Sequence, residues 1–295
     1  PVCRFFDPRL PSSITLRGHA IMLKTRELIE DEGYEVIYGD TDSIFVWLNQ
    51  PANESLADGM AHGIGTALTT KVNQWWQAHL AQEHQLESAL ELEYESHYSK
   101  FLMPTLRGSQ QGTKKRYAGL VCKEGFVFDE LGKLDEPDES SYELVFKGLE
   151  NVRTDWTRLA RDFQKELYKR IFCNREYQSY IRQVTDEVRQ GKHDTELIYR
   201  KRLRRSLNDY QRNIPPHAQA AAKADAWRIS QGKTQRYQRG GWIEYCSTVN
   251  GPEPLEHLES RLDYELYIER QIAPIVDGIV NFLGTSYAEI TSDQM

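Results

Sequence analysis

The sequence predicts an α+β protein, with an antiparallel-sheet portion over residues 1–150 and a mostly helical portion over 151–295. Three observations carry this. Short runs of alternating, β-branched or aromatic residues recur through the first half, bounded by Gly, Asp and Pro. After about Glu150 the apolar spacing changes to three and four residues, the period of a helix. Charge is also segregated. Arg200 to Arg239 holds eleven Lys or Arg against two acids, a local +9 in a chain of net charge −7, which leaves −16 on the other 255 residues. Such asymmetry points to a nucleic-acid surface confined to one region.

Each element follows from its local pattern. Ser12 and Ser13 precede a helical series, Ile14, Leu16, Ile21, Met22, Leu23, Leu28 and Ile29, which Gly33 stops. Tyr34 to Tyr38 and Ser43 to Leu48 read as two strands joined through Gly39-Asp40-Thr41-Asp42, a hairpin with an acidic turn. Glu54 to Gln85 reads as a helix with Trp75 and Trp76 on its buried face. Leu90-Glu91-Leu92-Glu93-Tyr94-Glu95 alternates strictly, which predicts a strand with its three carboxylates on one face. A strand is expected around Tyr98 to Met103, and another from Lys114 to Leu120. Glu124 to Glu143, with eight acids and one lysine, reads as a solvated hairpin loop, and Tyr142 to Phe146 as its return strand.

In the second half, Trp156, Leu159, Phe163, Leu167 and Ile171 share a helix face, with Arg158, Arg161, Lys165 and Lys169 off it. The run from Tyr199 to Arg205 is expected on a helix, and Trp242 to Ser247 as a short strand. A last helix spans about Leu262 to Leu283 and kinks near Pro274.

Composition excludes several classes. With 39% hydrophobic and 27% charged residues the chain can bury a core, so wholesale disorder is excluded. The longest apolar run, Ile44 to Leu48, is far short of the roughly 20 residues of a membrane helix. Pro1-Val2-Cys3-Arg4-Phe5 carries no secretory pattern, and the lack of an initiator Met suggests a piece of a longer protein. Cys3, Cys122, Cys173 and Cys246 lie far apart, which fits reduced cytoplasmic thiols better than a disulfide framework or zinc ribbon.

Four features could carry chemistry. Asp40 and Asp42, two residues apart on a tight turn, suit a hard cation such as Mg²⁺, or simply make an Asp-rich β-turn. Loop positions filled by Ile44 and Pro51 exclude an EF-hand. Glu91, Glu93 and Glu95 set three carboxylates on one face, a candidate for chemistry or simply a solvent-facing edge. Lys114-Lys115-Arg116-Tyr117 sets three cations beside an aromatic ring, suited to nucleic-acid phosphate or minor-groove contact, or to plain solvation. Tyr199-Arg200-Lys201-Arg202-Leu203-Arg204-Arg205, with Tyr210 and Arg212 beyond, suits a DNA backbone, a coiled coil or a membrane surface.

Taken in order, these segments resemble family B DNA polymerases, and the bacterial branch most closely. Tyr38-Gly39-Asp40-Thr41-Asp42-Ser43 is similar to the family's third polymerase motif. Lys114-Lys115-Arg116-Tyr117 resembles its KxY motif, and Leu92-Glu93-Tyr94-Glu95 stands where the family has an acidic strand. Phe146-Lys147-Gly148-Leu149-Glu150, followed by Val152-Arg153-Thr154-Asp155-Trp156, resembles the exit from palm to thumb. Tyr199 to Tyr210, Pro215-Pro216-His217 and Asp263-Tyr264 resemble the thumb pattern. Nothing here matches the family's first polymerase motif, its fingers motif or its exonuclease domain.

The resemblance implies the C-terminal part of an antiparallel-sheet palm over 1–150, followed by a mostly helical thumb over 151–295. It implies two-metal nucleotidyl transfer onto a primer 3′-hydroxyl in the intact enzyme, with two Mg²⁺ ions as cofactors. Asp42 would be the direct metal ligand and Asp40 its neighbour, with Glu93 and Glu95 as weaker candidates. Lys115 and Tyr117 would hold the primer terminus. Lys114, Arg116, Lys201, Arg202, Arg204, Arg205 and Arg212 would bind DNA. The implied partners are primer–template DNA and deoxynucleoside triphosphates, with no membrane, in the bacterial cytoplasm at the nucleoid. Bacterial members end in a short Gln-x-x-Leu-Phe-like tail for the sliding clamp. Gln294 would begin such a tail, or is a polar residue at a frayed end. The rival reading is a non-catalytic nucleic-acid-binding module.

Overall fold

Helix α1 (Arg9–Glu30) begins earlier than its serines suggest. Pro8 caps it and Pro11 sits in its first turn, where the missing N–H has no helical partner to lose. The Asp7 carboxylate accepts from Arg9 N at 3.0 Å. Ser12 is inside the helix and its hydroxyl donates to the Pro8 carbonyl at 2.8 Å. Gly33, at φ +86°, ends the segment as expected. The computed structural model describes residues 4, 6–49, 58–104, 115–122 and 142–292. Lys114, Gln294 and most of the acidic 124–143 segment lie outside the described residues.

Strands β1 (Glu35–Asp40) and β2 (Ser43–Trp47) pair antiparallel, with Asp40 opposite Ser43. Helix α2 (Asp58–His84) follows. Ile29, Leu68, Val72 and Trp76 make the core here, with Val36, Ile44, Val46 and Leu92 packed against it. Trp76 donates its indole N–H to Thr25 Oγ1 at 3.2 Å, so its polar edge is satisfied inside. Leu10, Ile14, Leu16 and Leu23 of α1 stay exposed.

The alternating run at 90–95 belongs to no strand, which corrects the expected one. A helix side chain takes the place of a ladder partner. Asn73 of α2 accepts from Leu92 N at 2.8 Å and donates to Leu92 O at 2.9 Å. The ring of Tyr94 lies against Gly65, where any Cβ would collide with it.

Strands β3 (Lys100–Leu102), β4 (Tyr117–Cys122) and β5 (Tyr142–Lys147) form a sheet in that order. The chain divides into two compact units, residues 1–100 with 119–143 and residues 101–118 with 144–295.

In the second unit, α3 (Arg158–Phe172) is capped by Thr157 Oγ1, which accepts from Ala160 N at 3.3 Å. It buries Leu159, Phe163 and Leu167, each worth about 1.5–3 kcal/mol of burial. Helix α4 (Gln178–Arg189) follows. The basic run then forms a strand, β6 (Tyr199–Leu203), and not the expected helix. The cause is long-range pairing: Arg202 lies opposite Trp242 and Tyr199 opposite Tyr245. Helix α5 (Pro216–Ser230), opened by Pro216, lays Ala218, Ala221 and Ala224 on Leu203, Ile243 and Tyr245 of the sheet. That sheet is completed by β7 (Gly241–Thr248) and β8 (Gly251–Pro254), in the antiparallel order β6-β7-β8.

The expected single last helix is broken. Helix α6 (Tyr264–Tyr267) passes into a π-helical turn, Ile268–Ile272, then α7 (Ala273–Val280) and, after a short turn, α8 (Tyr287–Ser292). Pro274, at the start of α7, cannot donate to an earlier carbonyl, and the widened turn stands just before it. Gln271 in that turn accepts from Thr157 Oγ1 and donates to the Tyr199 hydroxyl.

Glu253 of β8 is buried, which raises its pKa. The Ser260 hydroxyl and the backbone N–H groups of Ser260 and Glu259 outweigh that and hold it down to about 2. A depressed carboxylate stabilises the fold above the ordinary carboxylate range and loses that effect as pH falls. Glu253→Gln is therefore expected to lower the urea midpoint at neutral pH, and the gap to wild type to close between about pH 5 and 2.

Candidate functional site

The sheet hairpin fixes the two aspartates. The β1–β2 connection is a two-residue turn, Thr41-Asp42, and Thr41 adopts φ +56°. Hairpins favour such left-handed turns because their twist matches that of the strands. Asp42 N donates to Asp40 O at 2.6 Å, which tightens the tip. Asp42 is exposed and Asp40 half-buried. The Thr41 hydroxyl donates to Asp40 Oδ1 at 3.0 Å. This is a donor set of hard carboxylate oxygens, the right chemistry for Mg²⁺. Two carboxylates are a partial set. Among the described residues no three of His, Cys, Asp and Glu group so as to hold a metal ion.

Glu91, Glu93 and Glu95 do alternate outward, exposed, while Leu92 and Tyr94 turn inward. Their common face therefore stands, on a segment held by Asn73 and Gly65 of α2.

Lys115, Arg116 and Tyr117 belong to the second unit. Lys115 is exposed and takes φ +63°, a costly conformation for a residue with a side chain. The ring of Tyr117 packs on Phe101, centroids 5.3 Å apart. Arg116 is half-buried and forms an ion pair with Glu150.

Strand geometry divides the basic run. Arg200 and Arg202 point to the exposed face, and Lys201 and Leu203 to the other. The Arg200 guanidinium stacks over Trp242 at 4.9 Å. Lys201 approaches Asp155 at 3.7 Å. Asp155 is bonded twice by Arg153, at 3.0 and 2.9 Å, and these bonds pull its carboxyl below the usual range. Burial, with Lys201 adding to it, pushes the His217 imidazole down. Lys201 is thus partly committed inside the fold. Arg202, Arg204, Arg205 and Arg212 are exposed, with no ion pair to another described residue.

Sequence reasoning missed Trp242, Glu150 and Asn73 as participants. Glu150 stood in a noted motif, but its partner Arg116 is 34 residues away.

The model for DNA polymerase family B matches residues 2–283. The chain belongs to DNA polymerase family B. It is 52% identical over 293 residues to DNA polymerase II of Escherichia coli (strain K12), covering 99% of this chain and 35% of that protein. The DNA polymerase alpha catalytic subunit of Drosophila melanogaster is 24% identical over 312 residues, covering 97% of this chain and 18% of its own length. The DNA polymerase of Thermococcus kodakarensis is 26% identical over 292 residues, covering 95% and 15%. The chain thus spans about a third or less of the length of these family B relatives. No helix among the described residues is long and apolar enough to cross a membrane.

Asn73 supplies both polar contacts that hold Leu92. Asn73→Ala is expected to cost about 1–3 kcal/mol in urea unfolding. It should also speed amide exchange at Leu92, read by hydrogen–deuterium exchange.

Proposed function

We propose that this chain is the C-terminal palm (1–150) and thumb (151–295) portion of a bacterial DNA-directed DNA polymerase. The intact enzyme would add deoxynucleotides to a primer 3′-hydroxyl. The observation that carries this reading is the hairpin. The Tyr-Gly-Asp-Thr-Asp-Ser pattern of residues 38–43 folds into a two-residue turn that leaves Asp42 exposed at its tip, in a chain matched to the family along nearly its whole length.

Asp42 would ligate Mg²⁺ directly, with Asp40 beside it, its carboxylate held by the Thr41 hydroxyl. Glu93 and Glu95 are weaker candidates for the same surroundings. Mg²⁺ bound there supplies Lewis-acid stabilisation of the charge that develops on the primer 3′ oxygen and the leaving pyrophosphate. Lys115 and Tyr117 would grip the primer terminus and fix its 3′ oxygen for in-line attack. Lys114 and Arg116 would flank that grip. Arg202, Arg204, Arg205 and Arg212, with Lys201 beneath, would hold duplex phosphates without reading sequence. Primer–template DNA and deoxynucleoside triphosphates are the partners of the intact enzyme, working at the nucleoid. A clamp-binding tail beginning at Gln294 belongs to the same reading.

Steady-state incorporation by the intact enzyme tests it. Asp42→Ala is expected to lower kcat by orders of magnitude and leave primer–template affinity nearly unchanged. Normal turnover in that variant would remove Asp42 from the chemistry. The 295-residue chain, with no first polymerase or fingers motif in its sequence, is expected to bind DNA without extending a primer. Mg²⁺-dependent incorporation by it would overturn this.

Its duplex affinity should fall with salt. If about five phosphates are neutralised, log K falls with log salt at a slope of roughly −4.5. Replacing Arg202, Arg204 and Arg205 by Ala should flatten the slope in a fluorescence titration. An unchanged slope would place the contact elsewhere.

A further inference from the structure

Glu150 is a carboxylate only 9% exposed, in the 3-10 turn Glu150–Val152 between β5 and α3. One of its oxygens takes the Arg116 guanidinium and the other accepts from Gln164 Nε2 at 2.7 Å. Gln164, itself buried on α3, accepts in turn from Asn151 N at 2.8 Å. Tyr168 lies on the same helix. Burial, then the Glu150 charge, pushes its hydroxyl up, so Glu150 sits among groups shut off from water. Two residues before Glu150, Gly148 adopts φ +63°, and a Cβ there would overlap the Lys115 carbonyl oxygen. The Gly148–Glu150 segment therefore meets 115–116 twice, once against its backbone and once through its charge. Both contacts fall immediately after the Lys115 N–Cα bond, where φ is +63°.

We propose that Glu150 is a positioning residue for the primer terminus: through Arg116 it fixes the left-handed Lys115 backbone, so that Lys115 and Tyr117 are presented in one geometry to the 3′-terminal nucleotide. This rests on the reading of Lys115 as a primer-end contact. The physical reason is the cost of the conformation. A lysine at positive φ relaxes unless its neighbours over-determine it. A buried carboxylate bonded on both oxygens, one of them to the half-buried Arg116, is stiff enough to do that, and it loses most when one partner is removed.

The test compares two DNAs bound by the 295-residue chain: a recessed primer–template and a covalently closed duplex with no terminus. The readout is the ratio of their affinities, which a purely structural loss would leave unmoved. Lys115→Ala and Glu150→Ala are each expected to lower that ratio by about tenfold, the loss of one charged hydrogen bond. The double variant should be no worse than the lower single, because both act through one contact. Glu150→Gln, which keeps shape and the bond from Gln164, carries the test if Glu150→Ala does not fold. It should lower the ratio at a nearly unchanged melting temperature.

A lowered ratio for Lys115→Ala with an unmoved ratio for the Glu150 variants would overturn the proposal alone. So would additive effects in the double variant. An unmoved ratio for Lys115→Ala would overturn the primer-end reading as well, and this inference with it.

Discussion

The two-residue alternation of an extended backbone decides which charges this protein turns outward. In β6 it sends Arg200 and Arg202 to one face and Lys201 with Leu203 to the other. Leu203 then packs on the alanines of α5, and Lys201 turns to Asp155. The same rule operates in 91–95 without a strand partner. Leu92 and Tyr94 anchor on α2, and the three glutamates are exposed. In β1 it leaves Val36 and Tyr38 half-buried, while the pairing, shifted by an irregularity between those two residues, brings Asp40 opposite Ser43. In β6 and in 91–95 the candidate contact groups are thus on the outer face of a segment whose inner face packs inward.

Polar groups do much of the joining inside the second unit. Tyr199 stacks on Tyr245 at 5.1 Å and on Tyr267 at 5.7 Å, linking β6, β7 and the last helical segment. The Tyr267 hydroxyl donates to Leu197 O at 2.7 Å and accepts from Ser247 N at 2.8 Å. Gln271 joins Thr157 to Tyr199. A buried group without partners costs more than one with them, so these bonds favour one packing over its neighbours. The π-helical turn is part of that arrangement, since Gln271 lies within it.

Two strained backbone positions stand where function is proposed. Among the described residues six non-glycine residues have positive φ, and three are asparagines, which tolerate it. Of the other three, Gln85 follows α2, Thr41 is at the tip of the aspartate hairpin and Lys115 opens the Lys-Arg-Tyr segment. In the last two places nearby bonds hold the backbone: Asp42 N to Asp40 O at the hairpin, and the Gly148–Glu150 segment at Lys115.

The sequence by itself determined what depends on near neighbours. Period and turn chemistry located the hairpin at 35–47, the helix through Leu159 and Phe163, and the outward glutamates, and motif order supplied the family. Tertiary structure decided what depends on distant partners. Tyr199–Leu203 has an interleaved basic pattern that suits a helix, and only pairing with Gly241–Tyr245 makes it a strand. The 90–95 run has a strand's alternation, yet a side chain 19 residues away takes up its backbone groups. Glu150 stands in a motif the sequence shows, but its partner does not: only folding brings it to Arg116 and occupies both its oxygens with bonds. Local pattern fixes which way a side chain points. What it meets there is set by contacts between segments far apart in the chain, and these leave no period in the sequence.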